Sequence, residues 1–115
     1  MKQSARLIRS EDIRRVRKQG SSFVHDIMVL GCLQNSFKYN QLAVIAGKSV
    51  GNAVKRNFAK RRLRSAFQKF QLDILQGYDL VLVARKPILI VDYKQILYAL
   101  RTLLGHAGLM KEKVS

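Results

Sequence analysis

Seven lysines and arginines fall between Lys48 and Arg64, with no acidic residue among them: Lys48, Lys55, Arg56, Lys60, Arg61, Arg62 and Arg64. Side chains of this kind act together on one type of ligand. They neutralise a polyanion, and arginine adds planar, directed donors that match a phosphate. Like charges three and four apart on a helix repel by roughly 0.2–0.5 kcal/mol per pair. A run left without glutamates therefore points to an anionic partner rather than to helix stability.

Other chemistries find little support. The acids Glu11, Asp12, Asp26, Asp73, Asp79, Asp92 and Glu112 are scattered. No two have a spacing that would clamp a divalent ion from one element, as a two-metal nuclease requires. His25 and His106 lie far apart with no evident partner, and His25 beside Asp26 reads as a surface residue. Gly47-Lys48-Ser49 resembles the end of a phosphate-binding loop, but the upstream glycine pattern is missing. No catalytic residue and no metal ligand is assigned.

The cations need a scaffold, and the sequence supplies one. Gly51 suits a tight strand-to-helix turn. Asn52 suits the N-cap that follows, a role that competes with contact to the anionic partner. The spacing predicts a helix from Ala53 to about Leu75, with Ala59, Leu63, Ala66, Phe67 and Phe70 as its apolar stripe. Arg56, Lys60 and Arg64 then form a ridge beside the stripe, with Asn57 and Arg61 on the next. Lys48 and Lys55 extend the patch, and Phe58 falls outside the stripe, open either to the partner or to the turn.

Around that helix, residues 1–9 read as a loose basic arm. A first helix is expected from an N-cap at Ser10 to about Gln19, ending at Gly20. Ile13 and Val16 give it a narrow apolar face. One strand is expected from Phe23 to Leu33, with Met28, Leu30 and Cys32 on one face and Phe23, Ile27, Val29 and Leu33 on the other. A second strand, Leu42 to Gly47, would pair with it as a hairpin. Tyr78 to Arg85 reads as a central strand ended by Pro87. Asp92 caps a last helix carrying Ile96, Leu100 and Leu104, and residues 106–115 read as a loose tail. The order α-β-β-α-β-α makes residues 1–115 one domain, an α/β sandwich with a small mixed sheet and helices packed on it.

Val50-Gly51-Asn52-Ala53-Val54, then Arg56-Asn57, Lys60-Arg61, Arg64 and Ala66-Phe67, resemble the signature helix of the bacterial ribonuclease P protein subunit. The resemblance runs from about Leu7 to about Leu104 and includes the Tyr78–Arg85 strand. It implies a left-handed crossover around the central helix, against the general rule. It further implies a protein that binds a large catalytic RNA and precursor tRNA, assisting removal of the 5′ leader. The catalytic centre would lie in the RNA with its Mg²⁺ ions. Lys48, Asn52, Lys55, Arg56, Asn57, Lys60, Arg61 and Arg64 would contact RNA. A groove between the first helix and the sheet would hold the leader, with Ile13, Arg17, Met28 and Leu30 in it. The family usually lines this groove with aromatic residues. Ile13 and Arg17 stand at the first-helix aromatic positions here, Gly31 stands at the strand one, and Phe58 replaces the second arginine of the Arg-Asn-Arg core.

Bulk composition agrees. The 115 residues are 48% hydrophobic with one proline and carry a net charge of +15. The chain can thus bury a core, and an acidic partner would relieve its self-repulsion. No apolar run approaches the ~20 residues of a spanning helix, and the N-terminal residues do not read as a signal peptide. A single cysteine, Cys32, permits no disulfide within the chain. A cytoplasmic protein with no membrane and no obligate protein partner is expected. A structural, ribosomal-type RNA-binding protein without a role in cleavage fits size and charge equally well; only the motif speaks against it.

Overall fold

The computed structural model describes residues 5–6 and 9–112. Five strands form one mixed sheet: β1 (Ala5–Arg6), β2 (Ser21–Val24), β3 (Met28–Gln34), β4 (Gln41–Ile45) and β5 (Tyr78–Ala84). Their spatial order is β1-β4-β5-β3-β2. Three helices accompany them: α1 (Ser10–Gln19), α2 (Ala53–Phe70) and α3 (Tyr93–His106). A short 3-10 turn covers Lys86–Leu89.

The single long strand expected over residues 23–33 is two. His25, Asp26 and Ile27 form a tight turn in which His25 N–H donates to the Met28 carbonyl (2.9 Å) and Ile27 N–H donates to His25 Nδ1 (3.3 Å). Polar residues in mid-run are turn formers, and here they fold β2 back onto β3 with Val24 opposite Val29. Nor do β3 and β4 form a hairpin. β5 inserts between them, antiparallel to β3 and parallel to β4. What directs this is Asn40, fully buried. Its Nδ2 donates to the Leu75 carbonyl (2.9 Å), and its Oδ1 accepts from Tyr78 N–H (2.8 Å). The entrance to β4 is thereby tied to the entrance of β5, side by side.

β5 is central in burial as well as position: Leu80, Val81 and Leu82 are all inaccessible. Alternation along the strands splits the apolar residues into two cores. On one face Met28, Leu30, Cys32, Leu80, Leu82 and Ala84 pack beneath α2 and α3. On the other, Val81 and Ala43 meet Val16 of α1, with Ile13, Leu33, Ile45 and Val83 at the margins. Burial in the first core pushes the Cys32 thiol pKa up.

The ends of the helices depart from expectation in informative ways. α1 starts at Ser10 itself; Arg9 occupies the N-cap without a side-chain bond. Gly20 has ordinary extended backbone, and its glycine is required by closeness instead. A Cβ there would lie 2.4 Å from the Cys32 carbonyl oxygen and 2.6 Å from that of Val16. α2 stops at Phe70, short of Leu75. The supposedly loose ends are partly ordered. Ala5 and Arg6 pair with Gln41 and Leu42. Beyond α3, Gly108 at φ 73° reverses the chain and Leu109 is buried. Leu75 N–H then donates to the Leu109 carbonyl (2.7 Å) and Lys111 N–H to the Asp73 carbonyl (2.8 Å). Residues 1–4, 7–8 and 113–115 lie outside the described residues.

Candidate nucleic-acid interface

Local sequence builds the turn into α2. Val50 is buried and anchors it, while Gly51 takes φ 147°, a backbone region that favours glycine. A Cβ at Gly51 would also lie 2.8 Å from Lys55 Cδ. Asn52 Oδ1 accepts from Lys55 N–H at 3.0 Å, so this residue is the N-cap. Its exposed amide group is the part left for a ligand.

From there Ala59, Leu63, Ala66 and Phe67 bury one side of the helix, with Phe70 half-buried beside them. The cations are left on the rest of its circumference. Lys48, Lys55, Asn57 and Arg61 are exposed, and Arg56, Lys60 and Arg64 are half-buried along the flank. Val54, Asn57, Lys60, Arg61 and Arg64 line a shallow groove of about 450 Å³. Arg56 Nε is shielded from water and has no hydrogen-bond partner.

Among the described residues, the ion pairs are Arg9–Glu11, Arg15–Asp12 and Arg15–Asp79. None involves a side chain of α2. Of the eight residues singled out for RNA contact, Lys48 and Asn52 lie at the turn, while Asn57, Lys60, Arg61 and Arg64 share the groove along α2; no ion pair among the described residues answers Lys48, Lys55, Arg56, Lys60, Arg61 or Arg64. Arg62 behaves differently: its Nη1 donates to the Val91 carbonyl (3.0 Å), tying α2 to the segment before α3.

The second surface is assembled otherwise than the sequence suggests. Met28 and Leu30 are fully buried in the core under α2 and α3, on the face of the sheet away from α1. They cannot floor a groove beside that helix. The register supplies the residues that can: Val24, Val29, Val83 and Ile45 stand in one row across β2, β3, β5 and β4. Val24 is exposed and the other three are half-buried. Ile13 borders this face from α1, half-buried, and Arg17, four residues on, is exposed. Gly31 faces Val16; a Cβ there would be 3.4 Å from Val16 Cγ1. The alternation Val81, Val83 against Leu80, Leu82 carried this signal in the sequence, but only the strand pairing says which set faces α1.

An α/β domain that presents one helix as a cationic surface free of ion pairs among the described residues, with a partly open sheet face on the side away from that helix, belongs to the class of small polyanion-binding proteins. Which one follows from its relatives. The family model described as Ribonuclease P matches residues 1–108, and the chain belongs to that family. It is 32% identical over 114 residues to the ribonuclease P protein component of Alkaliphilus oremlandii, covering 99% of this chain and all of that one. It is 39% identical over 93 residues to that of Natranaerobius thermophilus, covering 81% of each. Among solved structures, the Staphylococcus aureus RNase P protein superposes with a TM-score of 0.84 at 28% identity, covering 94% of this chain and 99% of that one. The Thermotoga maritima protein gives 0.79 at 28% identity, covering 88% and 96%. The chain is therefore the protein subunit of an endoribonuclease that works as a ribonucleoprotein. No helix among the described residues is long and apolar enough to cross a membrane.

Proposed function

We propose that the chain binds the catalytic RNA of ribonuclease P through α2 and holds the 5′ leader of precursor tRNA across the open sheet face. The observation that carries this is the cationic surface of α2, free of ion pairs among the described residues. Arg56, Lys60, Arg61 and Arg64 contact phosphates, Asn57 offers a hydrogen bond to sugar or base, and Lys48, Lys55 and the Asn52 amide extend the contact. Ile13 and Arg17 on α1 border the leader path. Its floor is Val29, Val83 and Ile45, which grip apolar base faces and sugars without aromatic platforms. Arg17 supplies a guanidinium plane on which a base can stack.

In this reading the Mg²⁺ ions act through the RNA. The chain's contribution is charge neutralisation and substrate positioning, which lower the Mg²⁺ concentration that the RNA needs.

Reconstitution tests this reading. Precursor tRNA and Mg²⁺ are incubated with the protein, with and without the catalytic RNA. Protein alone cuts nothing, and protein plus RNA cuts faster than RNA alone at low Mg²⁺. Cleavage by protein alone, or no acceleration of the RNA, refutes the assignment.

A further inference from the structure

Phe58 is an aromatic side chain set among cations. It is 39% exposed, and Val54, one helical turn before it on α2, is 76% exposed. The Arg62 guanidinium carbon lies 5.2 Å from the centroid of the Phe58 ring. That guanidinium is itself held in place by the Val91 carbonyl. One side of the ring is therefore backed by a fixed cation, while over a third of the residue stays open to solvent. Neither residue belongs to the apolar stripe that docks the helix.

Phosphates satisfy lysine and arginine but offer nothing to an exposed ring. A continuous duplex keeps its base faces stacked on one another and presents only backbone to a helix of this kind. A base that is unpaired and unstacked has a free π-face, and stacking it on an aromatic side chain requires no particular base identity. A ring pinned by Arg62 loses little freedom when a base lands on it, which favours binding.

We infer that Phe58, backed by Arg62, is a stacking platform for an unpaired nucleotide of the RNA that docks on α2. The inference rests on the RNA-binding reading above and adds a preference for single-stranded or bulged positions over duplex.

The chain contains no tryptophan, so Phe58→Trp places its single indole at the site. The probes are a short single-stranded oligoadenylate and a blunt RNA duplex of equal length, with binding followed independently by anisotropy of labelled RNA. In Phe58→Trp the single strand quenches indole fluorescence along its binding curve, and the bound duplex does not. In Phe58→Leu affinity for the single strand falls about 5- to 100-fold while that for the duplex is unchanged. Binding without quenching, equal quenching by both RNAs, or equal affinity losses for both in Phe58→Leu overturns the platform and leaves the RNA-binding surface standing. If the wild-type protein binds neither RNA, the RNA-binding reading falls, and the platform with it.

Discussion

At the scale of single residues, the cations of α2 and the arginines of α1 do different things because of what lies beside them. Arg15 has Asp12 at 3.2 Å and Asp79 at 3.5 Å, so its charge is already answered. Asp79 is buried and also accepts from Asn35 Nδ2 at 2.9 Å. Arg15 is about half exposed and gains little from the ion pair, whereas the Asn35 amide makes its shorter hydrogen bond to Asp79, the other reaching the Tyr39 carbonyl at 3.3 Å. Asp79→Ala is expected to cost about 1–3 kcal/mol through the donors left unpaired, read as a lower midpoint in urea unfolding. No change would mean that water replaces the carboxylate. The sequence showed Asp79 only as one of several scattered acids; its partners come from α1 and the β3–β4 connection, far away in the chain.

At the scale of elements, α2 is the most legible part of the molecule. Its glycine turn, its asparagine cap and its stripe are local features, and a helix places them by periodicity alone. Replacing Arg56, Lys60, Arg61 and Arg64 together by alanine should leave the fold intact and weaken RNA binding. The slope of log K against log salt should flatten by roughly 0.7–0.9 for each phosphate that is no longer neutralised. An unchanged slope would move the interface off this helix. The α1–β2 junction was less legible: Gly20 looks like a helix cap in sequence, while its reason for being glycine is the Cys32 carbonyl across the sheet.

For the whole molecule, the sheet separates two jobs between its faces, and adjacent residues of β3 take opposite sides. Leu30 lies in the core beneath α2 and α3, and Val29 lies in the half-open row with Val83. Leu30→Ala should cost about 2–5 kcal/mol of stability and leave leader affinity intact in whatever folds. Val29→Glu should instead lower the affinity of the assembled ribonucleoprotein for precursor tRNA, leave that for mature tRNA unchanged, and shift Tm little. If both variants weaken precursor binding equally without loss of stability, the face assignment is wrong.

Read alone, the chain determined its class, its element types and the cationic helix, because composition, capping and 3.6-residue periodicity act over a few neighbouring positions. It also carried a resemblance, through Val50 to Phe67, to the family to which the chain belongs. Tertiary structure decided which strand sits beside which, and so that Val29, Val83 and Ile45, not Met28 and Leu30, line the open face. The pairing of β5 with its two neighbours joins residues 38 to 56 apart, and period-two alternation names two faces without saying which one a helix will cover. The ordered segment around Leu109 was hidden for the same reason: what holds it is the turn after α2, which no nearby residue announces.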